Sequence, residues 1–342
     1  MNLSNQTEWN LIDRISQIFS ADSLPPSTLG IGDDAALIPW TEERSQVITT
    51  DLLLENTHFL RKSIPARDLG YKSLAVNLSD IAAMGGSPTA VFLSLGLPQD
   101  LSLDWFNEFM EGFRELSQKF QVRLLGGDTT RSSLGIAINV TALGQIENAH
   151  IKLRSDAQSG DLICVTGFLG DSAAGLQCVL NSEIQDPERE HLIQRHHRPE
   201  PQVREAQWLS RQVGVHAMMD LSDGLASDLP HILEKSASGA EVDLEKLPIS
   251  QSLKKISQRL NWSPAELAAS GGEDYGLLTT IDPNHFSRIS TEYEKLFSSP
   301  LSAIGRIGKN ETEKENALVY KWLGETVTSP TPMWNHFRAP LS

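Results

Sequence analysis

Leu11, Ile12, Ile15, Ile18 and Phe19 fall three and four residues apart. That is the spacing of one helical face and predicts that the chain opens with an amphipathic helix. After a loop at Pro25–Pro26, short apolar runs alternate with helical patterns. VITTDLLL, TAVFLSLGL, VRLLGGD and GIAINVTALGQI read as strands, while DLGYKSLAVNLSDIAAMG and LDWFNEFMEGFRELSQKF read as helices. The chain turns polar between Ala149 and Gly160. A second block then repeats the style, with a strand in DLICVTG, a helix in DSAAGLQCVL, and the stretches VHAMMDLSDGLASDLPHIL and SGGEDYGLLTTI. Alternation of this kind predicts an α/β or α+β fold. The polar stretch divides it into domains over residues 1–149 and 150–342.

Composition narrows the function. Hydrophobic residues make up 39% and charged residues 21%, as in an ordinary globular protein. With 29 basic and 44 acidic residues the formal charge is −15, which argues against a nucleic-acid partner, since that needs a basic face. It leaves room for a cation between the protein and an anionic substrate. Cys164 and Cys178 offer neither a disulfide framework nor zinc-ligand spacing, and read as buried structural thiols. No apolar run approaches the roughly 18 to 20 residues of a membrane span. The first residues also lack the basic start and apolar stretch of a signal peptide, so the expected location is cytoplasmic.

The chemistry lies in acids that recur beside apolar segments or glycine turns. GIGDDAALI sets Asp33 and Asp34 side by side, TTD ends at Asp51, LSD ends at Asp80, GGD ends at Asp128, and DLSD carries Asp220 and Asp223. One such acid is ordinarily a turn or a helix cap. Five clusters over one fold point to convergence. Two carboxylates about 5 Å apart repel by roughly 3 kcal/mol at an effective dielectric of about 20. A group of them therefore needs cations or raised pKa values. Hydroxyls of neighbouring Ser and Thr add oxygen donors, and an all-oxygen set points to Mg²⁺ or Ca²⁺ rather than zinc or copper. Aligning Gly224 with the glycine of an EF-hand puts Met219 and Pro230 where acids are required, so that loop is excluded. The phosphate loop G-x-x-x-x-G-K-S/T, the protein-kinase motifs and the dinucleotide fingerprint are also absent. His196 and His197 lie in the charged run DPEREHLIQRHHRPEP, which reads as an exposed segment.

Six blocks in order, GIGDDAALI, TTDLLLENTHF, LGYKSLAVNLSDIAAMGGSP, LLGGDTTRS, MMDLSDGLASDL and SGGEDYGLL, resemble the thiamine-monophosphate kinase family. That family belongs to the ATP-binding superfamily of aminoimidazole ribonucleotide synthetase. The resemblance spans Gly30 to Trp334. It implies a two-domain fold, an N-terminal α/β domain that dimerises through its sheet and a C-terminal α+β domain. It also implies a homodimer, several Mg²⁺ ions, and direct transfer of the γ-phosphoryl of ATP to thiamine monophosphate with no covalent catalytic residue. By position, Asp33, Thr49, Thr50, Asp51, Asp80, Asp128, Asp220 and Asp223 resemble magnesium ligands, with Asp34 as an auxiliary acid. Gly127, Asp128, Arg154 and Ser222 resemble ATP contacts, and His58, Glu273 and Trp334 resemble acceptor contacts. Two departures stand out: GGSP replaces the usual GA-x-P, and Met333 stands where a glycine commonly precedes the aromatic residue.

Relatives of the superfamily are the nearest alternatives. A selenophosphate-synthetase-like enzyme would carry a reactive Cys near its start, whereas the first Cys here is Cys164. A hydrogenase-maturation relative would end in a reactive Cys, and this chain ends FRAPLS. A non-catalytic acidic cation-binding protein explains the charge but not the ordered blocks.

Overall fold

The computed structural model describes residues 8–19, 24–308 and 318–331. Trp334 lies outside the described residues. The amphipathic pattern at the start forms α1 (Glu8–Phe19). The first domain then runs β1 (Ala36–Pro39), β2 (Arg44–Leu54), α2 (Ala66–Ala83), β3 (Ser87–Leu97), α3 (Leu103–Phe120), β4 (Arg123–Arg131) and β5 (Ala137–Glu147). The sheet order is β1-β2-β5-β3-β4. Only β3 and β4 are parallel, joined by the α3 crossover.

Alternation along these strands gives the sheet two unlike faces. The inner face buries Val47, Thr49, Leu53, Val91, Leu93, Leu95, Ile138 and Val140. The outer face carries Thr50, Leu52, Leu54 and Phe92, all exposed. Helix α2 lies against the inner face and is buried nearly all round, from Asp68 to Ala83, polar Lys72, Asn77 and Ser79 included. Such a helix needs cover on every side. The sheet, α3 and the second domain supply it. The crossing of α2 with α3 is close: a Cβ on Gly70 would lie 1.9 Å from the Phe109 carbonyl oxygen, and one on Gly112 would lie 1.7 Å from that of Arg67. Only glycine at both positions lets the two backbones meet.

The second domain runs β6 (Leu162–Thr166), α4 (Asp171–Leu180), α5 (Arg189–His197), α6 (Val203–Ser210), β7 (Val215–Asp220), α7 (Leu225–Lys235), β8 (Gly239–Asp243), α8 (Gln251–Leu260), α9 (Pro264–Ser270), β9 (Leu277–Ile281), α10 (Pro283–Phe297), β10 (Leu301–Gly308), β11 (Leu318–Trp322) and β12 (Glu325–Val327). Its sheet order is β12-β11-β8-β10-β6-β9-β7. The last described strand in that order, β7, packs together with α6 on α2. One apolar cluster accordingly continues from Val47, Leu74 and Val91 into Cys164, Val203, Leu209, Val215 and Leu277. Among the described residues no helix is long and apolar enough to cross a membrane.

Cys164 on β6 and Cys178 on α4 are free and buried, as their apolar surroundings predicted. The reading of His196 and His197 as exposed is overturned. Both lie on α5, 7% and 4% exposed, on the face that also buries Leu192 and Ile193. Burial, reinforced by the Lys72 ammonium, lowers their pKa values to about 3 and about 4.

Candidate active site

Three acids from three separate segments converge. Asp34 stands in the turn before β1, Asp80 in the last turn of α2, and Asp220 at the end of β7. Each offers a carboxylate oxygen, and these oxygens all lie within 4.8 Å of one another. The neighbours hold them in place. Thr49 Oγ donates to Asp80 Oδ2 at 2.6 Å, and Ser79 Oγ donates to Asp220 Oδ2 at 2.6 Å. The Asp51 N–H donates to Asn77 Oδ1 at 3.1 Å, tying β2 to α2 beside the cluster.

The electrostatics are those of a site short of positive charge. Burial, and then the neighbouring Asp51 and Asp220 carboxylates, push Asp80 well above the usual carboxylate range. Burial and Asp34 push Asp220 up to about 8, against the opposing effects of Ser79 and Arg154. Asp51 rises to about 6 through burial and the charge of Glu8. Arg154, itself buried, brings a cation to the cluster. Its guanidinium binds Asp34 through Nη2 at 2.5 Å and Nε at 3.4 Å, and its backbone N–H donates to Asp33 Oδ2 at 3.2 Å. Asp33 also accepts from the Asp34 N–H at 3.0 Å, and burial with the Asp34 charge raises it to about 7. The two adjacent acids thus diverge: Asp34 faces the cluster, while Asp33 caps the turn and the Arg154 backbone. The donors are hard oxygens in a dry setting, which suits a divalent cation such as Mg²⁺.

Asp223 follows Asp220 in the loop before α7. Gly224, at φ +99°, makes that loop possible, because a Cβ there would sit 2.4 Å from the Gly271 carbonyl oxygen. Its N–H donates to the buried Asp228, a residue the motif reading did not single out. Burial, followed by Asp223 and Asp220, lifts Asp228 well above the usual range.

Beside the acids runs the loop Gly271–Gly276. The Glu273 N–H donates to the Ser222 carbonyl at 2.6 Å, and the Tyr275 N–H to that of Leu221 at 2.9 Å. Asp274 points inward and accepts from the N–H groups of Gly170 and Ser172. Glu273 meets Lys72 Nζ at 2.9 Å and His196 Nδ1 at 3.2 Å. Burial alone would raise Glu273, but Lys72 and His196 outweigh it and hold its pKa below the ordinary value. His58 also bears on Glu273 electrostatically. In the turn after β2, His58 Nδ1 accepts the Leu54 N–H at 3.0 Å, which places the proton of the neutral ring on Nε2.

Two expected ligands stand apart. Thr50 points to the outer face of the sheet, bonded to the Val140 carbonyl. Asp128 is exposed on β4 and pairs in register with Ser94, in the outer-face row that includes Asn139 and Leu52. Gly127, beside it, has no room for a side chain, since a Cβ would lie 1.7 Å from the Leu93 carbonyl oxygen.

Known proteins share this fold. The model for the AIR synthase related protein N-terminal domain matches residues 32–146, and that for the C-terminal domain matches 158–315. Thiamine-monophosphate kinase of Haemophilus influenzae is 43% identical over 306 residues, covering 88% of this chain and 89% of that protein. The chain belongs to the thiamine-monophosphate kinase family. The solved structure of AaThiL complexed with AMPPCP and TMP superposes with a TM-score of 0.83 at 32% identity, over 98% of this chain and 99% of that one. Thiamine-monophosphate kinase from Stenotrophomonas maltophilia gives 0.74 at 36% identity, over 94% and 98%. The two-domain fold and the kinase assignment read from the ordered blocks therefore hold for this family member, and the alternatives within the superfamily are not favoured.

Proposed function

We propose that this member of the thiamine-monophosphate kinase family transfers the γ-phosphoryl group of ATP to thiamine monophosphate, giving thiamine diphosphate and ADP. The observation that carries the reading is the convergence of Asp34, Asp80 and Asp220 beside Arg154, next to the loop that presents Glu273. Asp51, Asp223 and Asp33 complete the acidic rim. Mg²⁺, when bound there, supplies the positive charge that offsets triphosphate and carboxylates together.

The remaining work falls to the chain. Thr49 and Ser79 keep two carboxylates aimed at one another across the domain junction. Arg154, already held by Asp34, contributes a guanidinium for the nucleotide phosphates, alongside Ser222. Glu273 and His58, with Trp334, hold the acceptor. Thiamine monophosphate attacks through a phosphate oxygen that is already anionic, so no side chain has to remove a proton, and catalysis consists of alignment and charge neutralisation.

A homodimer formed through the outer face of the first sheet belongs to the same reading. Leu52 is 51% and Phe92 39% exposed there, an apolar surface of the kind that marks an interface. Thr50 and Asp128 lie on that face.

The test is product formation from ATP and Mg²⁺ with thiamine monophosphate, thiamine or no acceptor in parallel. Thiamine diphosphate from the monophosphate alone, one per ADP released, is the expected result. ATP hydrolysis without that product, or equal phosphorylation of thiamine, contradicts the proposal.

A further inference from the structure

Lys72 is 1% exposed in the middle of α2. A buried ammonium is costly unless paired, and a methionine of similar volume would fill the same space without that cost. Stability does not explain a lysine here. Its two contacts do. Nζ lies 2.9 Å from Glu273 Oε1 and donates to the His196 carbonyl at 3.2 Å. Lys72 belongs to the first domain, and both partners belong to the second.

The same helix face makes a second crossing. Ser79 stands seven residues after Lys72, within about 20° of two full turns, so both side chains leave α2 on one side. Ser79 binds Asp220, the acid at the end of β7. The two anchors are separated along the helix by about 10 Å. One rigid element therefore ties the acid cluster to the carboxylate expected to hold the acceptor.

The Glu273 loop is built to receive such an anchor. Glu273 and Tyr275 both occupy the left-handed region, at φ +63° and +50°, flanking the inward-pointing Asp274. A Cβ on Gly272 would lie 2.7 Å from the Ser222 carbonyl oxygen, so the loop rests directly on the Ser222–Asp223 backbone. On the far side of the carboxylate, His196 Nδ1 lies 3.2 Å from Glu273 Oε2 and 3.0 Å from Ser172 Oγ. Glu273 nevertheless keeps 28% of its side chain exposed, on which a ligand can act.

We infer that Lys72 is a positioning residue for the phosphoryl acceptor: it fixes the Glu273 carboxylate, and with it the distance from the acceptor's amino-bearing end to the acid cluster. This rests on the acceptor role of Glu273 proposed above. An amine donor of the acceptor binds the face of the carboxylate that Lys72 leaves open, and the Lys72 pair keeps that face in one orientation before the acceptor arrives.

Steady-state kinetics on Glu273→Gln, Lys72→Met and the double variant test it, with KM measured separately for thiamine monophosphate and for MgATP. Lys72→Met should raise KM for the monophosphate about ten- to a hundredfold, as misplacement of a positioning group does, and leave KM for MgATP unchanged. The double variant should be no worse than Glu273→Gln alone, because Lys72 acts through Glu273. It also strands no buried charge, so it provides a folded protein if Lys72→Met unfolds. A Lys72→Met effect shared equally between both substrates, or double-variant losses that are the product of the single ones, would show a merely structural lysine and overturn the inference. If Glu273→Gln raises KM for the monophosphate and Lys72→Met does not, the inference fails alone. If Glu273→Gln leaves that KM unchanged, the acceptor role of Glu273 fails first and takes the inference with it.

Discussion

At the scale of single residues, the acid cluster sets activity against stability. Asp220 is buried, bonded to Ser79, and faces two other carboxylates. Asp220→Asn keeps an acceptor for Ser79 and removes a charge that the fold tolerates poorly. Its turnover should fall at least about a hundredfold, as for loss of a charge-stabilising group. Its thermal midpoint without divalent cation should rise, by about 2–4 °C for each kcal/mol of repulsion relieved. Calorimetric scanning beside the kinase assay checks both, and a lower midpoint with full turnover would contradict the account. Much of this was legible beforehand. Asp80 and Asp220 each close an apolar run, and their recurrence marked them. Which of Asp33 and Asp34 faces the cluster was not legible, because it depends on how the Arg154 backbone, 121 residues from Asp33, meets the turn. The sequence also concealed Lys72 against Glu273, a contact between domains that no local spacing encodes.

At the scale of elements, α2 decides the geometry. It carries Asn77 and Asp80, both bonded to β2, together with Lys72 against Glu273 and Ser79 against Asp220. Its position depends on the close crossing with α3 at Gly70 and Gly112. Gly112→Ala should destabilise the protein by about 1–3 kcal/mol or more, since overpacking against backbone leaves little room to relax. Urea unfolding measures this, and an unchanged midpoint would mean that the crossing is looser than described. The strands and long helices were readable from period and turn residues. Helix α5 was misread, because the abundance of charge in REHLIQRHH masked a face made of Leu192, Ile193, His196 and His197. Those four positions do follow a helical spacing, so the signal was present and outweighed by composition.

At the scale of the whole molecule, two consequences follow from the charge and surface. Asp33, Asp51 and Asp220 have folded pKa values of about 7, about 6 and about 8, all above their unfolded values. The folded chain therefore holds extra protons between about pH 4 and pH 8, and its stability falls as pH rises through that window. Without divalent cation the thermal midpoint should drop from pH 6 to pH 8, and Mg²⁺ should restore more of it at pH 8. A midpoint that rises over that interval in chelator would contradict the sign. The second consequence is assembly. Light scattering should give twice the 37.7 kDa chain mass, and Leu52→Asp with Phe92→Asp should return the single mass. An unaltered dimer in that variant would move the interface elsewhere.

In the function proposed above, acids from three distant segments form one cation-dependent nucleotide site. Calorimetric titration of a non-hydrolysable ATP analogue, with and without Mg²⁺, into the wild-type protein and Asp220→Asn tests it most directly. Tight binding is expected only for the wild type with Mg²⁺, with a loss of about tenfold or more in the variant. Equal affinity in the two proteins, or binding indifferent to Mg²⁺, would contradict it.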